Sequence, residues 1–282
     1  MAPEIAIVIP TRNRASYLAV ALDSLAGQGA AEIVVVDDAS TDDTATVAAA
    51  RGARVIGQPL QRGLNAGRNA GVVHTAAPLI AFLDDDVRVA PRWLAALREG
   101  APRYPEAEAF GGPIRARFEG PAPRSCGREL PPITTLDLGP HDREAAMVWG
   151  ANFAIRRTAF DRLGGFDEGI GAHSQAEDWL HGDEEDWLRA LTTSGGRIVY
   201  LAGAAVEHRR TGDDARLRAL ARAAYHRGRY ARISDERRGQ APPRRHEVRV
   251  LAGCAWHTVR RRCPQGVIMG AQALGRLVET VG

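Results

Sequence analysis

Apolar and polar positions alternate in blocks through the first hundred residues. A short β-branched run, "EIAIVIP", is closed by Pro10 and reads as a buried strand. "SYLAVALDSLAGQG" follows with helical spacing at Tyr17, Leu18, Ala21, Leu22 and Leu25, opens on Ser16 and stops at Gly27 and Gly29. "AEIVVVDD" predicts a second strand, and "STDDTATVAAARG" a second helix with Ser40 or Thr41 at its start and acids in its first turn. "ARVIGQ" and "LIAFLDDD" predict two more strands, with a helix from about residue 67 to 75 between them. Strands separated by helices imply right-handed βαβ units and a parallel sheet.

Beyond this, "PRWLAALREGAPRYP" predicts a helix with Pro91 in its first turn. Residues 119–145 are Pro-rich and irregular, and a loop of that length inside a compact domain is usually functional or mobile. "MVWGANFAIRR", the turn "LGGFDEGIG", an acidic helix "GDEEDWLRALTTSGG" and a last strand "RIVYLAGAAVEH" follow. From Thr211 the chain is helical in pattern and rich in arginine, with a break at "GQAPPRR".

Composition changes this picture in two places. The net charge of +3 conceals a division, because residues 209–282 hold 17 Arg against 6 acids while the rest of the chain is net acidic. Every Lys/Arg cation is an arginine. A solvated helical face explains such a tail, as does contact with an anionic partner such as lipid headgroups or phosphorylated acceptors. Cys126, Cys254 and Cys263 have no metal-ligand spacing and cannot all pair, which suits a reducing cytosol. No apolar run approaches the roughly 18 residues of a membrane span, and the start of the chain does not read as a signal peptide.

In a parallel α/β sheet, ligands bind outside the carboxyl ends of the strands. "PTRNR", "VVVDDAS", "FLDDDV" and "VEHRR" all fall at such ends. "FLDDDV" concentrates three carboxylates, Asp84, Asp85 and Asp86, which suits Mg²⁺ or Mn²⁺ bridging to substrate phosphates. His208, two residues after an apolar strand end, reads as a further ligand, a phosphate contact or a structural histidine. "GLNAGRNAG" offers glycines for close backbone approach and Arg68 for phosphate charge, and no P-loop is present. Among Asp183, Glu184, Glu185 and Asp186, a carboxylate could serve as general base. "QAEDWL" is a rival acidic segment.

Together these motifs resemble the family 2 glycosyltransferases of the GT-A fold. "IAIVIPTRNRASYLAVALDSLAGQ", "EIVVVDDASTDDT", "GLNAGRNAG", "FLDDDV", "WGANFAIRR", "GGFDE" and "GDEEDW" occur in that family's order over about residues 4–208. The resemblance implies an α/β catalytic domain over 1–208, divided into a nucleotide-binding half (1–110) and an acceptor half (111–208). A basic helical extension (209–282) would follow. It implies that Pro10, Thr11 and Arg12, with Arg14 in the same loop, contact the nucleotide. Asp38 would bond the base, Asp37 would lie near the ribose and Arg68 near the donor. Asp84 and Asp86 match the ends of the metal-binding DxD motif with Asp85 between them, and His208 matches a metal or diphosphate contact. Trp149, Gly150 and Asn152 would line the donor sugar and acceptor. Glu184 is the first choice as base, with Glu185 the fallback and Asp183 its neighbour. Glu stands where the family more often has Asp, and Ala190 where it often has Arg.

The activity so implied is a metal-assisted, inverting, single transfer from a nucleotide-diphosphate sugar (UDP-, GDP- or dTDP-linked). The acceptor would be a small molecule, a lipid-linked species or a glycan. The implied location is cytoplasmic, with peripheral contact at the inner membrane face through the arginine-rich end. A sugar-phosphate nucleotidyltransferase would be expected to carry a Gly-rich, Lys-bearing first loop, and "PTRNRA" has neither residue. A nucleic-acid binder would be expected to show a Cys/His finger or an RNP-like aromatic pattern, and neither is seen.

Overall fold

The computed structural model describes residues 5–29, 31–120, 126, 134–169 and 184–279. Asp183 and "QAEDWL" lie outside the described residues. The chain divides into two compact units. One comprises residues 1–116, 134–175 and 183–209, and the other 117–133, 176–182 and 210–282.

The first unit is built on β1 (Ile5–Thr11), β2 (Glu32–Asp37), β3 (Arg54–Gly57), β4 (Leu79–Leu83), β6 (Ala107–Gly111), β8 (Arg143–Glu144), β9 (Asn152–Arg156) and β10 (Arg197–Tyr200). These form one sheet in the order β3-β2-β1-β4-β9-β6-β10-β8. The β3-β2-β1-β4 run is parallel, whereas β9 lies antiparallel between β4 and β6. The register sets Thr11 beside Asp37, so the polar ends of β1 and β2 meet at one edge.

Helices α1 (Ala15–Leu25), α2 (Thr44–Ala50), α3 (Leu64–Val73), α4 (Trp93–Arg103), α5 (Arg157–Leu163) and α6 (Glu185–Thr193) complete the unit. In α1 the buried residues are the five read from periodicity, Tyr17, Leu18, Ala21, Leu22 and Leu25. Helix α3 packs so closely on β1 that a Cβ on Gly71 would stand 2.2 Å from Val8 Cγ1, and one on Gly67 2.9 Å from Pro10 Cβ. The glycines of "GLNAGRNAG" therefore serve helix-to-strand packing, and that packing carries Arg68 into the interior.

A second sheet runs β5-β11-β7, from β5 (Val87–Val89), β7 (Ile114–Glu119) and β11 (Val206–Thr211). The run expected to be a single strand, "RIVYLAGAAVEH", is thus two. It breaks at Leu201–Ala204, where Ala204 N–H bonds back to Leu201 O, and its two parts enter different sheets. Strands β6 and β7 and helix α5 were not expected from periodicity. β7 buries only Ile114, so its alternation is hidden under exposed charge. Helix α5 starts directly where β9 ends, without a breaker residue, and is pinned by Arg157 bonding to the Ala77 and Thr75 carbonyls.

In the second unit, α7 (Leu217–Arg237), α8 (Arg244–Arg261) and α9 (Pro264–Val278) carry the arginine-rich sequence. Leu220, Ala224 and Ile268 form a small core with Phe118 against it. Gly228 and Gly275 allow α7 and α9 to touch through backbone, since a Cβ on either would fall 2.0 Å from a carbonyl of the other helix.

Candidate active site

At the carboxyl edge of the sheet, β4 ends and the chain turns through Asp84, Asp85 and Asp86 into β5. Asp85 and Asp86 are buried. Arg14, from the loop after β1, sits 2.9 Å from Asp85 Oδ1 and 2.9 Å from Asp86 Oδ2. Thr11 Oγ1 donates to Asp85 Oδ2 at 2.7 Å. Burial pushes the Asp85 carboxyl up to about 7; Arg14 opposes the rise and the charge of Asp86 adds to it. The Asp84 carboxyl is also raised, first by desolvation and then by Asp86, with Arg68 and His208 opposing.

His208, on β11 opposite Val87 of β5, reaches the same turn. Its Nε2 lies 3.1 Å from Asp86 Oδ1, and its Nδ1 is 3.2 Å from the Thr134 carbonyl. A carbonyl only accepts, so Nδ1 carries the proton of that bond. In the neutral ring Nε2 then presents a lone pair toward a carboxylate oxygen. Two acceptors at that distance require a proton or a cation between them. Ligand atoms of Asp84, Asp86 and His208 all lie within 4.8 Å of one another. Two carboxylates and an imidazole whose far nitrogen is held by a backbone carbonyl are a donor set that fits a divalent ion such as Mn²⁺.

Arg68 is buried on α3, its guanidinium 5.5 Å from the Phe153 ring centroid and 5.8 Å from that of Phe166. Its Nη2 stands 4.0 Å from Asp84 Oδ1 and its Nη1 3.7 Å from Glu184 Oε2. Glu184 precedes α6, is buried, and accepts the Gly150 N–H on Oε1 at 2.8 Å. A Cβ on Gly150 would fall 2.6 Å from both Arg68 Nη2 and Glu184 Oε2, so only glycine lets these three groups meet. Glu185, in the first turn of α6, pairs with Arg189 one turn on.

The side chain of Asn152 is held by the protein: it accepts from Trp93 Nε1 at 2.8 Å and donates to the Ala204 carbonyl at 2.7 Å. Trp149 is partly buried against the core. At the ends of β2 and β3, Asp38 takes the backbone N–H groups of Arg62 and Gly63 at 2.7 and 2.9 Å. Asp37 Oδ1 accepts from Ser40 N–H at 3.0 Å. Nearby, Gln58 donates its backbone N–H to Asp37 O, while its buried amide and the buried Arg12 Nε have no hydrogen-bond partner among the described residues. Sequence reasoning missed Gln58; its position directly after β3 was the available signal.

The Glycosyl transferase family 2 signature matches residues 6–164, and the chain belongs to that family. It is 33% identical over 200 residues to a validoxylamine A glucosyltransferase of Streptomyces hygroscopicus subsp. jinggangensis, covering 59% of this chain and 47% of the relative. The chain thus spans about half the length of that relative. An N-acetylglucosaminyl-diphospho-decaprenol L-rhamnosyltransferase of Mycobacterium tuberculosis is 27% identical over 253 residues, covering 77% of this chain and 78% of the relative. Among solved structures, a mannosyltransferase from Pyrobaculum calidifontis in complex with GDP-Man and Mn²⁺ superposes with a TM-score of 0.60. It shares 19% identity and covers 99% of this chain and 71% of its own, a likeness of fold.

Proposed function

We propose that this chain transfers one sugar, with inversion, from a nucleotide-diphosphate sugar to an acceptor hydroxyl. The observation that carries the proposal is the convergence of Asp84, Asp86 and His208 beside the Arg68–Glu184 pair. Residues 1–208 would supply the catalytic domain. Asp84, Asp86 and His208 would hold a divalent ion, Mn²⁺ or Mg²⁺, which when bound offsets charge on the diphosphate. Arg14 and Thr11 fix Asp85 and Asp86 and offset part of the repulsion within the turn. Arg68, short of full closure on either carboxylate, would stabilise charge developing on the leaving group. Pro10, Arg12, Asp37, Asp38 and Gln58 would form the nucleotide subsite, and Trp149 and Gly150 the sugar side, with Asn152 bracing them.

Glu184 would act as general base. The acceptor oxygen forms a bond to the anomeric carbon as the bond to the diphosphate breaks. The electron pair leaves on the β-phosphate oxygen, and the hydroxyl proton passes to Glu184. Glu185, paired with Arg189, is the second choice. Lipid-linked acceptors gain support from the name of the rhamnosyltransferase relative. No helix among the described residues is long and apolar enough to cross a membrane. A membrane acceptor would therefore be met at the surface, and the exposed face of α8 supports that contact: Arg245, Arg249 and Arg260 with Val248, Trp256 and Val259.

A thermal-shift panel of UDP-, GDP- and dTDP-sugars with and without Mn²⁺, followed by nucleoside diphosphate release with the donor that binds, tests the reading. A metal-dependent shift with one donor class and release of its diphosphate is expected. The absence of any shift across the panel in folded protein would overturn it.

A further inference from the structure

The cysteines have no metal-ligand spacing in sequence, yet the second unit brings two of them beside a histidine. Cys126, His257 and Cys263 place one ligand atom each within 4.8 Å of one another. Cys126 Sγ is 3.3 Å from His257 Nε2 and 2.8 Å from Gln265 Oε1. His257 lies in the last turns of α8 and Cys263 caps the start of α9, with the chain reversing between them at Arg262 in a left-handed conformation (φ 47°). Cys126 comes to this corner from 131 residues earlier in sequence.

We propose that these three side chains form a zinc site that clips the segment at Cys126 to the α8–α9 corner. Two thiolates and an imidazole are the borderline-soft set that selects Zn²⁺ over the hard ions suited to carboxylates. With Zn–S near 2.3 Å and Zn–N near 2.0 Å, tetrahedral ligands sit roughly 3.5–3.8 Å apart, against 3.3 Å between Cys126 Sγ and His257 Nε2 and at most 4.8 Å among all three. Cys263 and Gln265 are buried, so two of the groups at the corner are already withdrawn from water. Gln265 Oε1 accepts from the Cys126 thiol at 2.8 Å, and a water would complete four-coordination. On binding, two thiol protons pass to solvent and two Zn–S bonds form, with no change of oxidation state.

The site is separate in chemistry from the aspartate turn, so the two can be tested apart. The full chain, purified under reducing conditions, is titrated with Co²⁺ after chelation and watched for thiolate-to-cobalt charge transfer in the near ultraviolet. Carboxylate sites do not give that band. The wild type and Asp86→Asn are expected to show it at one equivalent, with Zn²⁺ displacing Co²⁺ and abolishing it. Cys254→Ser should leave it unchanged. Cys263→Ser and the surface variant Cys126→Ser, each checked for folding by circular dichroism, should lose at least half of its intensity. No charge-transfer band in folded wild type, a band indifferent to Cys126→Ser, or a Cys126–Cys263 disulfide that persists when protein is prepared with excess zinc would each overturn the proposal.

Discussion

Each unit of this protein sets an arginine against a buried glutamate, and the two pairs are built differently. In the second unit Arg276 Nε closes on Glu247 Oε1 at 2.7 Å while its Nη2 closes on Asp235 at 2.7 Å, tying α9 to α8 and α7. In the first, Arg68 stands 3.7 Å from Glu184 and 4.0 Å from Asp84, and one oxygen of Glu184 is taken by a backbone N–H rather than by the guanidinium. A closed pair satisfies its charges and fixes helices. The Arg68 guanidinium lies at longer range between its two carboxylates, over the Phe153 and Phe166 rings, and its Nη1 also donates to Asn65 Oδ1 at 3.2 Å. The charges are alike in the two pairs; the distances differ.

Removing charge at each pair should have opposite consequences. Glu184→Gln is expected to lower transfer about a thousandfold, the scale of a general base, while donor-induced thermal stabilisation remains. Single-turnover product formation measures the first effect and a thermal shift the second. Equal activity in the variant would move the base elsewhere and remove the distinction between the pairs. Arg276→Ala should do the reverse. It leaves Glu247 buried without its cation, at a cost of about 3 kcal/mol, which denaturant unfolding would report. Donor binding to the first unit should persist.

The aspartate turn sharpens the contrast through pH. Asp85 is raised to about 7 in the folded chain, above the ordinary carboxylate value near 3.9. Between those values the folded state holds a proton that the unfolded state has released. Stability without metal should therefore fall as pH rises from about 4 to 7. A divalent ion needs Asp84 ionised, and the Asp84 carboxyl is itself raised by burial, so the ion's stabilising effect should grow as pH rises. Melting temperatures at pH 5 and pH 7.5, with and without Mn²⁺, measure both slopes. A Mn²⁺ effect independent of pH would contradict this account.

Much of the first unit could be read from periodicity because its parallel strands are short buried runs closed by polar residues. The aspartate turn was visible for the same reason. What could not be read was what crosses the chain. Arg14 meets Asp86 from 72 positions away, and Gly150 takes its glycine from the need to seat Arg68 and Glu184 together. The run from Arg197 to His208 shows the limit of pattern alone, since a continuous apolar stretch hides a change of sheet. Cys126 lies 131 residues before His257, so spacing alone could not show that it meets His257 and Cys263.

The smallest effect concerns the exposed arginines of α8 that form no ion pair among the described residues. Arg229, Arg232, Arg238 and Arg276 are taken by Glu279, Glu236 and Asp235 within the helical unit, so much of the net positive tail is internal scaffold. On α8, by contrast, Arg245, Arg249 and Arg260 stay exposed beside Trp256, 62% exposed, and Val259, 80% exposed. An indole flanked by guanidinium groups suits an anionic lipid interface, each cation near such a surface contributing about 1 kcal/mol. Co-sedimentation with vesicles containing anionic lipid should fall about fivefold for Arg260→Gln and further for Trp256→Ala, and fade in high salt for the wild type. Both variants should unfold at the wild-type denaturant concentration, because neither side chain is part of the helix packing that Arg276 holds. If Arg276→Ala weakened vesicle binding while keeping wild-type stability, and Arg260→Gln did not, the division between closed and open arginines would be wrong.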